Sequence, residues 1–107
     1  MDTKIKDIWI ESEHSGLMIG GQKVVDDNVD VIVTLTDDTK YVASFFTYEN
    51  IRTLTEKNRS TGELLNGKYF WASDIILIDR VDRESIEKVI ADLIKENYFD
   101  QAFKLVQ

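Results

Sequence analysis

The sequence predicts an α+β fold: one domain over residues 1–107, with a twisted antiparallel or mixed sheet of about five strands packed against C-terminal helices. Three observations point to it. Period-two alternation of apolar and polar residues recurs in the first half of the chain. A run of four large aliphatics, Ile75-Ile76-Leu77-Ile78, interrupts the helical patterns of the second half. An apolar stripe of helical period then fills residues 86–94. Strands therefore come mostly first and helices later, in the order β-β-β-β-α-β-α-α.

Residues 4–11, KIKDIWIE, place Ile8 and Ile10 on one side and Asp7, Trp9 and Glu11 on the other, a half-buried strand. Glu13-His14-Ser15-Gly16 reads as a turn. An apolar run restarts at Leu17-Met18-Ile19 and is broken by Gly20-Gly21, a bulge or bend within a strand that reaches toward Val25. Val29–Thr36 gives the cleanest alternation, with Val29, Val31, Val33 and Leu35 on one face. Asp37-Asp38-Thr39-Lys40 supplies turn residues whose carboxylates can bond their own backbone, so Tyr41–Thr47 returns as the second arm of a β-hairpin.

Thr47 has the chemistry of a helix N-cap, with Glu49 in the first turn and Gly62 after the last. Ile51, Leu54 and the stem of Lys57 form the expected inner edge. After the turn pair Asn66-Gly67, Lys68–Asp79 is expected to be the central strand, covered on both faces by the rest of the fold. Asp82 caps a helix whose Ile86, Val89, Ile90, Leu93 and Ile94 share one stripe, with Asn97 at its end. Tyr98, Phe99, Ala102, Phe103 and Val106 suggest a short second helix.

Composition limits the function classes. A chain of 107 residues with 43% hydrophobic and 31% charged residues suits one core. It contains no cysteine, hence no disulfide, thiolate metal site or thiol nucleophile. No apolar run approaches the ~20 residues of a membrane span, and the acidic N-terminus does not read as a secretory signal, so a cytoplasmic location is expected. Net charge is −7. Residues 1–50 hold ten acids against four bases, and residues 51–107 ten against nine. That balance repels nucleic acid and attracts a basic protein partner.

No catalytic residues stand out, and an enzyme is not expected. His14 is the only histidine, without the spacing of a triad. Gly16, Gly20 and Gly21 match no phosphate loop. Asp26, Asn28, Asp30 and Asp37 occupy calcium-loop offsets, but Val31 stands where that loop needs glycine, so neither a metal nor another cofactor is expected. Arg52, Lys57 and Arg59 are too sparse for a nucleic-acid footprint. Asn58-Arg59-Ser60 reads as a chance sequon.

Two candidate sites remain. Asp26, Asp27, Asp30, Asp37 and Asp38 are the expected partner-binding carboxylates, steering a basic protein. Tyr48, Tyr69, Trp71 and Asp74 are the alternative, an aromatic pocket for a small molecule. Asp74 directly precedes an apolar strand, so its carboxylate either anchors the strand end or belongs to that pocket. Pairing of sheet edges such as Val29–Thr36 between copies would give a homodimer.

In FFTYENI at 45–51, TGELLNGKYFWASDIILI at 61–78 and the IEKVIADLI helix ending at 94, residues 30–106 resemble a group of small uncharacterised bacterial proteins. In size and charge these are similar to immunity proteins of bacterial toxin systems. The resemblance implies an inhibitor-like, antitoxin-like binding role, with no defined set of functional residues. The first 29 residues lie outside it.

Overall fold

The computed structural model describes residues 4–14 and 24–106. It is α+β, as the residue pattern predicts. Among the described residues the elements are β1 (Ile5–Ile10), β2 (Asn28–Leu35), β3 (Lys40–Thr47), α1 (Tyr48–Thr61), α2 (Glu63–Gly67), β4 (Ile75–Ile78), α3 (Arg83–Lys95), α4 (Phe99–Ala102) and β5 (Lys104–Leu105). A short 3-10 helix, Glu11–Glu13, follows β1. The expected strand through Leu17, Gly20 and Gly21 lies outside the described residues, as does Gly16.

The sheet is mixed, in the order β1-β2-β3-β4. β1 and β3 run antiparallel to β2, whereas β4 runs parallel to β3. Only a crossover can join parallel neighbours, and α1 with the chain returning from it supplies one. The β2–β3 hairpin closes as its residues foretold: Asp38 adopts φ 67°, and the Thr39 amide donates to Asp37 Oδ1 at 3.0 Å.

One face of the sheet carries the core. Val29, Val31, Val33, Ala43, Phe45 and Ile78 pack with Ile86, Ile90, Phe99 and Phe103 from the C-terminal helices and the residue that follows them. Phe99 meets Tyr41 edge-on at 5.1 Å and stacks on Phe103 at 4.7 Å, while Phe103 lies 6.0 Å from Phe45. Such aromatic contacts add to the area they bury. No side chain of α1 joins this core. The opposite face pairs Trp9 with Ile32 and Ile32 with Val42, all half-buried.

Both long helices begin as their caps require. The Thr47 hydroxyl accepts the Asn50 amide at 3.0 Å, and Asp82 Oδ1 accepts the Ser85 amide at 2.8 Å. Gly62 ends α1 in the left-handed region at φ 84°. Within α1, Ile51 and Leu54 are half-buried but Lys57 is exposed, and the buried positions are Asn50 and Asn58.

Three expectations are corrected. Residues 68–74 are not strand, and β4 is the edge of the described sheet rather than its centre. Only Ile78 of the IILI run is buried; Leu77 on the opposite face is 46% exposed. Four aliphatics in a row measure greasiness, and greasiness does not specify how many neighbours a strand has. Residues 98–106 do not form one helix: four residues of α4 give way to β5, which pairs Lys104 with Val42 and Leu105 with Tyr41. β4 reaches only Ser44–Thr47 of β3, so the Tyr41–Val42 portion of that edge is open to β5. Finally, Val29–Thr36 is not a sheet edge: β2 pairs with β1 on one side and β3 on the other, so it offers no open edge to a second copy. The end of α3 is as expected, with Glu96 as its cap and Asn97 the left-handed residue past it at φ 62°.

No described helix is long and apolar enough to cross a membrane.

Candidate functional site

The five expected partner-binding carboxylates fall into separate places. Asp26 is half-buried, and its two oxygens accept Asn50 Nδ2 at 3.1 Å and the Thr53 hydroxyl at 3.0 Å. Asn50 Oδ1 in turn accepts Asn28 Nδ2 at 3.0 Å. Asp27 is half-buried and accepts the Asn28 amide at 2.8 Å. Asp30 is exposed on β2 and accepts the Ser44 hydroxyl at 2.7 Å, while its own amide donates to Glu11 Oε1.

Asp37 and Asp38 sit at the other end of β2, roughly 24 Å away by strand rise. Asp38 pairs with Lys6 at 2.7 Å, and that ammonium holds its carboxyl below the usual range. Asp37 is lowered by its bonds from Thr39. These acids therefore do not make one patch. Asp26 and Asp27 fasten the chain before β2 to the start of α1, and Asp38 fastens β1 to the hairpin.

The aromatic set is built from an unusual backbone. After Gly62, the residues Leu64, Leu65 and Asn66 all adopt left-handed angles, with φ 50°, 52° and 59°. Left-handed helical backbone costs roughly 1–2 kcal/mol per residue outside glycine, so packing must hold it. Part of that packing is at Gly67, also left-handed at φ 75°, where a Cβ would lie 2.5 Å from the Thr55 carbonyl oxygen. Glycine lets this backbone press onto α1. Leu64 is half-buried, and Leu65 points outward with 68% exposure.

The chain then returns toward the sheet. Burial alternates from Tyr69 to Ser73: exposed, half-buried, exposed, half-buried, exposed. Phe70 is the inward member, meeting Phe46 edge-on at 5.4 Å. Tyr69 at 48% and Trp71 at 65% exposure occupy the outward side. Tyr48, the first residue of α1, is 60% exposed. These rings face solvent. Asp74 adopts φ 53°, and its backbone carbonyl accepts the Ser44 amide at 2.9 Å, opening the β3–β4 ladder. The anchor of the strand end is this carbonyl; the carboxylate is exposed.

The remaining candidates resolve simply. His14 is exposed and stacks on Trp9 at 5.2 Å. No group of three or more metal-ligating side chains occurs among the described residues. Arg52, Lys57 and Arg59 are exposed, and Arg52 pairs with Glu49 at 2.9 Å. Asn58 of the sequon is buried.

Sequence reasoning missed two participants. Leu65 reads as an ordinary turn residue, and only the Gly62 and Asn66-Gly67 punctuation marks an irregular backbone there. Phe70 looks equivalent to its neighbours, although it alone of the three rings is turned inward. No protein-family model, curated protein or solved structure matches this chain.

Proposed function

We propose that this chain is a small acidic protein-binding domain, of the immunity or antitoxin type, that engages a basic protein in the cytoplasm. The observation that carries the reading is the excess of acidic charge, −7 on 107 residues. Much of it is solvent-facing: Asp7, Asp74, Asp79, Asp92, Glu96 and Asp100 are all exposed. A surface of one sign accelerates encounter with a partner of the other and repels phosphate backbones and anionic lipid. Binding rather than catalysis is the role such a surface serves.

The experiment is affinity purification with the tagged chain at ~0.05 M and ~0.5 M salt, which bracket the screening range. The retained protein is then purified, and its association rate measured across that range. The expected result is a basic protein whose association slows steeply with salt. An acidic partner, a salt-independent rate, or no partner at either salt would overturn the reading.

A further inference from the structure

We infer that the contact surface is an aromatic anchor formed by Tyr69 and Trp71, and that its occupant is a lysine- or arginine-bearing protein surface. The inference rests on the basic-partner reading and moves its centre away from the carboxylates near β2. Three observations carry it. Tyr69 and Trp71 share the outward side of the run leading to β4, and Phe70 between them is held against Phe46 at 5.4 Å. The run is held from its other end by Gly67, whose backbone lies against the Thr55 carbonyl. Two large rings are thus displayed with their backbone already ordered, which reduces the entropy cost of binding. Exposed tryptophan and tyrosine are also the side chains that most often dominate protein interfaces.

Charge selects the occupant. A second copy would bring a net charge of −7 against this chain's own −7, and an anionic membrane would be repelled. A basic protein is favoured by the field and also by the rings themselves, whose faces attract ammonium and guanidinium groups. Asp74 and Asp79, exposed at the two ends of β4, supply carboxylates within the same segment; of the two bases beside them, Lys68 and Arg80, Arg80 is already paired with Asp82.

The test uses the full chain and a defined probe, an arginine-rich peptide, with a glutamine-for-arginine peptide as control. Binding is followed by amide NMR titration of the wild type and of Trp71→Ala, Tyr69→Ala and Asp37→Asn/Asp38→Asn. The altered side chains are exposed, and a thermal melt of each variant checks that it is folded. Expected are shifts concentrated at residues 68–74, about tenfold weaker binding for Trp71→Ala, and little change for the double aspartate variant. If the peptide binds but Trp71→Ala and Tyr69→Ala do not weaken it, the anchor is wrong and the basic-partner reading stands. If the peptide fails to bind the wild type at low salt, both fall. If sedimentation shows a dimer that Trp71→Ala dissolves, a second copy is the occupant and the inference is overturned.

Discussion

Thr47 and Asp27 are bonded to each other twice. The Asp27 amide donates to Thr47 Oγ1 at 3.2 Å, and the Thr47 amide donates to the Asp27 carbonyl at 3.1 Å. The same hydroxyl accepts the Asn50 amide, so one fully buried oxygen serves the chain entering β2 and the first turn of α1. Around it, Asp26 and Asn50 extend the network to Thr53 and Asn28. This junction sets where α1 leaves the sheet.

Replacing that hydroxyl strands two amides. Thr47→Val keeps the volume and leaves the Asp27 and Asn50 donors without their acceptor. The expected cost is about 2–3 kcal/mol. Thr47→Ser retains the oxygen and should cost less than about 1.5 kcal/mol. Urea denaturation of both variants measures the difference. Equal losses would mean that the methyl group, rather than the hydroxyl, holds the junction.

The left-handed turn makes a pair of opposite predictions. Gly67→Ala places a methyl 2.5 Å from the Thr55 carbonyl oxygen at φ 75°, and should destabilise by roughly 2–4 kcal/mol. Leu65→Gly removes an exposed side chain from a left-handed position and should stabilise by about 0.5–1 kcal/mol. Thermal melts of the two variants should move in opposite directions. A destabilised Leu65→Gly would show that the leucine side chain contributes packing that outweighs its backbone strain.

The contrast between these two turns explains what could be read from residue order. The Asp37-Asp38 hairpin was legible because its turn chemistry is local: the carboxylate bonds an amide two residues on. Helix caps at Thr47 and Asp82 were legible for the same reason. The left-handed turn was not, because it is stabilised by contact with Thr55 on a neighbouring element. The grouping of carboxylates failed similarly. Asp30 and Asp37 are close in sequence, yet an extended strand carries them far apart, and partners such as Lys6 and Thr53 come from other elements. Tyr69 and Trp71 were legible as notable residues, but their shared outward side depends on where Phe46 receives Phe70.

The position of β4 at the sheet edge separates neighbouring aliphatics. Ile78 is 5% exposed and packs into the core, so Ile78→Ala should cost about 2–4 kcal/mol. Leu77, 46% exposed on the other face, should cost less than about 1 kcal/mol when replaced by alanine. Guanidinium denaturation of the two variants checks this. Similar losses at both sites would restore the two-sided strand expected from the IILI run.

Acid should weaken the fold as its depressed carboxylates take up protons: Asp37 and Asp38 at the exposed hairpin turn, and Glu13 and Asp82 beside the start of α3. Glu13 receives two bonds from Arg83, at 2.7 and 2.8 Å, and Arg83 also donates to the Ile8 carbonyl and to Glu87. This guanidinium ties the end of β1 to the start of α3, and it holds the Glu13 carboxyl below its ordinary range. The Ser85 amide lowers Asp82 in the same sense, with Arg80 adding to it. All four groups lose more protons in the folded state than in the unfolded one at the same pH. Their stabilisation is therefore complete above the ordinary carboxylate range near pH ~4, and is lost as pH falls through the depressed native values. Arg83 stays charged throughout, so the loss follows the acids alone. Glu13 and Arg83 are each 39% exposed, so solvent screening keeps the Glu13 contribution below about 1 kcal/mol. Melts of wild type at pH 7, 5 and 3, values that bracket the transition, should show stability nearly level over the first interval and falling over the second. Glu13→Gln should reduce that fall, and Asp82→Asn should reduce it while preserving the helix cap. A wild-type loss concentrated between pH 7 and 5 would point to another titrating group and remove these carboxylates as the cause.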